Sequence, residues 1–235
     1  MPAVLINTLA VLLGATIGVL FGSRISERFT KAIMSAIALI TLVIGIQSAI
    51  KTGSIMLVML CLVIGTLFGT ALHLDDLMNG AAEKIQNRLR SKNIGGRFAE
   101  AFMTTTILFC VGTMTVIGSI QAGLEHNYEI LIAKSVMDFL SSIVFGAALG
   151  GGVFLSALSV LVIQGGLVLL ASLAEPVLTE RVVTEMSAIG GTMFIGMSIN
   201  LLELRSEKIK IGDMLPAIFL PIAYFPIADW LASVF

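Results

Sequence analysis

Apolar runs about twenty residues long recur along the whole chain, and they leave few folds open to it. A bilayer core of roughly 30 Å is crossed by about 20 helical residues. In hydrocarbon every backbone polar group must find its partner within the protein, which a helix provides by itself. Charged residues make up 12% of the 235 and hydrophobic ones 57%, against roughly 25% charged in an average soluble domain. The expected fold is all-α, a polytopic transmembrane helical bundle forming one domain over residues 1–235.

Breakers divide the chain into eight expected spans, at about 3–22, 31–50, 54–72, 99–122, 129–149, 152–173, 184–203 and 213–233. "GSRISERFTK" follows the first, "KTGS" the second and "GLEHNYE" the fourth, while "GGG" at 150–152 separates the fifth from the sixth. "MPAVLINTLAVLLGATIGVLFG" has no basic n-region and is expected to be a retained helix, not a cleaved signal. Basic residues then segregate. Arg24, Arg28, Lys31, Lys84, Arg88, Arg90, Lys92, Arg97, Arg205, Lys208 and Lys210 fall on one side, and only Lys51 and Arg181 on the other. The positive-inside rule makes the first side cytoplasmic. Both termini are expected outside.

The longest loop carries Leu74, Leu77, Met78, Ala81, Ile85 and Leu89 at helical spacing, with basic residues between them. It is expected to form an amphipathic helix at about 75–91, with Asp75 as N-cap. Whether it lies on the cytoplasmic leaflet or in solvent is open.

Spans one, three and five end alike, in "IGVLFG", "IGTLFG" and "IVFGAALG". Gly14, Gly18 and Gly22, Gly65 and Gly69, and Gly146 and Gly150 are spaced one helical turn apart, and small residues at that spacing let two backbones meet in lipid. Spans two, four and six carry "LVIGIQSAI", "VIGSIQAGL" and "LVIQGGLVL", with Gln47, Gln121 and Gln164. The pattern suggests a repeated helical hairpin, glycine-rich going in and glutamine-bearing coming out.

Lys134 and Asp138 stand inside the fifth span, four residues apart on one helix face. At 1.5 Å per residue from an edge near 129, Asp138 lies about 14 Å deep, close to the midplane. Lys134 can snorkel outward and Asp138 is too short to do so. The two can neutralise each other structurally, or they can mark an ion or substrate path. Asn7, Gln47, Gln121 and Asn200 are softer candidates, each able to serve as interhelical glue. Glu185 stands at the entrance of span seven. Glu125, Glu129, Glu175, Glu180 and Glu185 form a negative outer rim, which favours cations over anions. In span eight, Pro221 and Pro226 are expected to free the carbonyls of Ala217 and Ile222.

No phosphate-cradling loop, HExxH, Cys/His cluster or nucleophile elbow is present. No catalytic residue, cofactor or metal is expected, and nucleic acid is not an expected partner. Cys61 and Cys110 read as packing residues.

The phrases "INTLAVLLGATIGVLFG", "AKSVMDFLSS", "EMSAIGGTMFIGMSINLLEL" and "KIKIGDMLPAIF" resemble the domain of unknown function 554 family of bacterial membrane proteins, nearly end to end. The resemblance implies a multi-span inner-membrane protein and supplies no site residues. The expectation is a small secondary transporter or ion-coupled permease for an unknown solute or ion, with Asp138, Lys134, Gln47, Gln121, Asn200, Asn7 and Glu185 as candidate site residues. The alternatives are a passive channel formed by a homo-oligomer, and a non-transporting scaffold or sensor.

Overall fold

The computed structural model describes residues 1–22, 27–88 and 98–234. Arg24, Arg90, Lys92, Arg97 and the end of the amphipathic segment lie outside them. The described residues form helices joined by turns and loops, with no strand among them. In order they form α1 (Pro2–Gly22), α2 (Glu27–Ala49), α3 (Ile55–Ala71), α4 (Leu74–Arg88), α5 (Phe98–Cys110), α6 (Thr113–Leu124), α7 (Glu129–Leu149) and α8 (Gly152–Leu169). The short α9 (Ala171–Ala174), α10 (Glu180–Leu201), a 3₁₀ segment Ile211–Phe219 and α11 (Leu220–Val234) complete the chain.

Among the described residues, five stretches are long and apolar enough to cross a membrane: α1, α7, α8, α10 and Ile211–Trp230. Counting each of two bent pairs as one span gives up to seven, and the apolar part of α2, Met34–Ala49, is shorter. The eight expected segments thus all coincide with helix, but not with eight straight spans. The fourth, expected to be continuous, breaks at Val111–Gly112 into α5 and α6, bent by 53°. Thr115 Oγ1 donates to the Phe109 carbonyl at 2.7 Å, which returns a partner to backbone at the break. The eighth opens as 3₁₀ because Pro216 sits within it. There the Ala217 carbonyl, expected to be freed by Pro221, accepts from Leu220 N–H.

Glycine lies at the main seams. A Cβ added to Gly14, Gly18 or Gly22 would collide with α7 backbone at Phe139, Ile143 and Ala147 respectively. The register rises on both helices, so α1 and α7 run parallel. Gly65 meets Ala217 and Gly69 meets Asp213, so α3 runs antiparallel to the 3₁₀ segment. Gly45 of α2 lies against Gly191 of α10, and Ser198 Oγ donates to the Ala38 carbonyl, an antiparallel pair. Gly152 abuts Phe98, and Thr106 meets Ser159, so α5 and α8 are parallel. These four senses are the ones that eight alternating segments require. Gly150 serves differently: at φ 84° it ends α7, in a conformation that favours glycine.

Two helix groups emerge from these seams. One holds α1, α5, α6, α7 and α8; the other holds α2, α3, α10, the 3₁₀ segment and α11. They meet chiefly where α2 approaches α7 and where α10 approaches α5 and α6. Helix α4 is docked, not merely peripheral. Asp213 Oδ1 accepts from Asp75 N–H and Asp75 Oδ1 accepts from Gly212 N–H, each at 2.9 Å. Asp75 is therefore no N-cap of its own helix. Each aspartate instead satisfies an orphan donor at the start of the other's segment.

Candidate functional site

Helix α7 carries the site, and the neighbours that complete it come from distant sequence. Lys134 Nζ donates to Asp138 Oδ2 at 2.5 Å, and both residues are only 5% exposed. Asn7 of α1, wholly buried, donates through Nδ2 to the same oxygen at 2.9 Å and to Gln164 Oε1 of α8 at 3.2 Å. The parallel α1–α7 seam makes this contact. Glycines at 14, 18 and 22 bring the two backbones close enough for a short amide to cross between them. The Lys134 ammonium also stands 5.7 Å from the centroid of the Phe109 ring, within cation–π range. Beside it Val11, Phe109, Cys110, Ala157 and Val160 form an apolar cluster.

The pair is not sealed. Lys134 and Asp138 line a cavity of about 540 Å³ together with Gln47, Ser48, Lys51 and Ser141. Its apolar wall includes Ile37, Ile44, Leu108 and Phe145, and Gly112 brings the α5–α6 break to its edge. The cavity lies between the two helix groups, with α2 on one side and α5, α6 and α7 on the other. Asn7 Oδ1 and Gln164 Nε2 are buried and have no hydrogen-bond partner among the described residues. Such atoms are uncommon in a settled core and call for an explanation.

Of the expected site residues, the structure brings together Asp138, Lys134 and Asn7, with Gln47 on the cavity wall. It separates the others. Glu185 is buried at the α2–α3 turn, where it accepts from Thr52 Oγ1 at 2.6 Å and Gly53 N–H at 2.7 Å. Asn200 bonds both to the N–H and to the carbonyl of Ile209, holding the loop after α10. Gln121 is half-buried in α6 and is not among the cavity residues. The three repeat glutamines thus occupy three settings. Gln164, read from sequence only as part of the repeat, belongs to the site. A lone amide in the apolar run "LVIQGGLVL" was the available signal. Among the other buried hydroxyls, Thr8, Thr104, Thr105 and Ser135 donate to the carbonyl four residues back, while Thr41, Ser119 and Ser142 have no hydrogen-bond partner among the described residues.

Away from the bilayer-spanning segments, Lys210 holds the Asp76 carboxyl below the usual carboxylate range by a 2.9 Å hydrogen bond. Asp76 in turn raises Lys210 above the ordinary lysine value. Among the described residues no cluster of three or more His, Cys, Asp or Glu is arranged to hold a metal.

Apolar helices packed through glycine around a buried ion pair define an all-helical membrane protein. The chain belongs to the family described as "Protein of unknown function (DUF554)", whose model matches residues 2–225. It is similar to "Uncharacterized protein YqgA" of Escherichia coli (strain K12), 30% identical over 218 residues, covering 92% of each chain. It is also similar to "Uncharacterized membrane protein YdfK" of Bacillus subtilis (strain 168), 26% identical over 219 residues, covering 92% of this chain and 91% of the other. No solved structure matches it.

Proposed function

We propose that this protein is a small secondary transporter of the bacterial inner membrane whose substrate site is the cavity between the two helix groups. The carrying observation is the buried Lys134–Asp138 pair, bonded to Asn7 and open on one side to that cavity. Intramembrane charge is costly and commonly marks an ion or substrate path. Transporter sites also gather near the midplane at the junction of two helix bundles, beside interrupted helices. The break at Val111–Gly112 fits that pattern. In this reading one group rocks against the other, and the cavity, bordered by Lys51, faces the outside. The placement of basic residues supports that orientation, with both termini outside.

Counterflow in proteoliposomes tests the reading. With solutes of each charge class, the wild type should show uptake accelerated by the same solute on the far side, and Asp138→Asn should lose it. Flux without acceleration would indicate a channel, and absence of flux with every class would indicate a scaffold or sensor.

A further inference from the structure

The charges that line the cavity point to its ligand. They are Lys134, Lys51 and Asp138, and none of the glutamates at that end of the bundle lines it. Asp138 already has a partner in Lys134, so a second cation would have to displace an ammonium tethered four residues away. Lys134 is not used up in the same way. Its ammonium has three protons, one goes to Asp138, and no other hydrogen-bond acceptor engages it among the described residues. Lys51 adds a further positive charge at the cavity edge, and the uncapped start of α6 at Gly112 adds the positive end of a helix dipole. The rest of the wall is apolar. Ile40, Met137, Leu140 and Val144 line the cavity, and each is more than 40% exposed on the outer flank of the bundle. The cavity therefore opens sideways along an apolar strip and ends at an ammonium.

We propose that the cavity binds an organic monoanion with an apolar body, its anionic group on Lys134 and its body along Ile40, Met137, Leu140 and Val144. This rests on the transporter reading for its purpose, but it is tested by binding alone. Asp138 is then the counter-charge that holds Lys134 oriented while the site is empty. The other groups facing the pair are the amides of Asn7 and Gln164, from α1 and α8, and the thiol of Cys110 from α5.

The test uses the full chain in nanodiscs of phosphatidylcholine, with empty discs as reference for partitioning. Hexanoate, hexanamide and hexylammonium are titrated by calorimetry. Hexanoate should bind and the other two should not. Lys134→Met should weaken hexanoate by at least about tenfold, the loss that one charge-assisted hydrogen bond accounts for. Ser141→Trp, which obstructs the cavity beside Lys134 and Asp138 and removes neither, should abolish binding, so the inference does not depend on the folding of the lysine variant. Repeating the titration in phosphatidylglycerol discs separates two sources of the same chemistry. Unchanged hexanoate affinity supports a free solute, and competition supports an anionic lipid. Tighter binding of hexylammonium, equal binding of hexanamide, or hexanoate binding that survives Ser141→Trp would overturn the proposal. Hexanoate binding without counterflow would remove the transporter reading and leave the site. Counterflow of a cation would do the reverse.

Discussion

At the scale of the residue, the site is a balance of buried charges and amides. Removing one member of a buried pair leaves the other uncompensated, at a cost of about 3–5 kcal/mol. Asp138→Ala should therefore lower the melting temperature in detergent sharply, because the buried Lys134 ammonium loses the carboxylate it is bonded to. Asn7→Leu is milder. It deprives Asp138 Oδ2 of one of two donors and Gln164 Oε1 of its donor, and it should cost about 1–3 kcal/mol in the same measurement. An Asn7→Leu variant as stable as the wild type would show that the amide bridge is unimportant to the fold. The i,i+4 spacing of Lys134 and Asp138 made their contact legible from sequence. The Asn7–Asp138 contact, 131 residues apart, depends on which two glycine-bearing helices pair, and three helices had comparable motifs.

At the scale of the element, glycine decides which helices touch. Gly18→Leu and Gly65→Leu should disrupt folding, since their side chains would meet the backbones of Ile143 and Ala217. Gly112→Ala should be tolerated, because nothing lies within 4 Å of the added Cβ and the φ of −72° suits any residue. Thermal melts of the three variants check this ordering, and an unstable Gly112→Ala beside a stable Gly18→Leu would contradict it. The clasp at the basic end has its own signature. The depressed Asp76 carboxyl contributes above its unfolded pKa and loses that contribution as pH falls through its lower folded value. The raised Lys210 contributes below its unfolded pKa and loses that contribution as pH rises through its higher folded value. Across pH 5 to 9 both are charged, so any stability difference between wild type and Lys210→Met should stay flat over that window. Melting curves taken across it check this. The close approach of glycine helices could be read from spacing, whereas the break at Val111–Gly112 could not. "CVGTM" has one glycine and no proline, and the partners that Val111 meets at the bend, Ser187 and Gly190 of α10, are distant in sequence.

At the scale of the whole molecule, two helix groups enclose a cavity that ends at a buried ion pair. Hydropathy predicted the helical membrane class. It did not predict the grouping, which joins α1 to α7 and α2 to α10 across most of the chain. The proposed orientation rests on the basic residues and is open to direct labelling. In a variant without Cys61 and Cys110, Asn127→Cys should react with an impermeant thiol reagent in intact cells and Glu207→Cys should not; the reverse would invert the topology. The central claim is that Lys134 and Asp138 serve transport and not merely the fold. The double replacement Lys134→Met with Asp138→Leu tests it most directly, because replacing a buried pair by apolar residues is often neutral or stabilising by about 1–4 kcal/mol. Counterflow should be lost in that variant while its melting temperature equals or exceeds that of the wild type. A folded double variant that exchanges solute at the wild-type rate would show the pair to be structural and contradict the account.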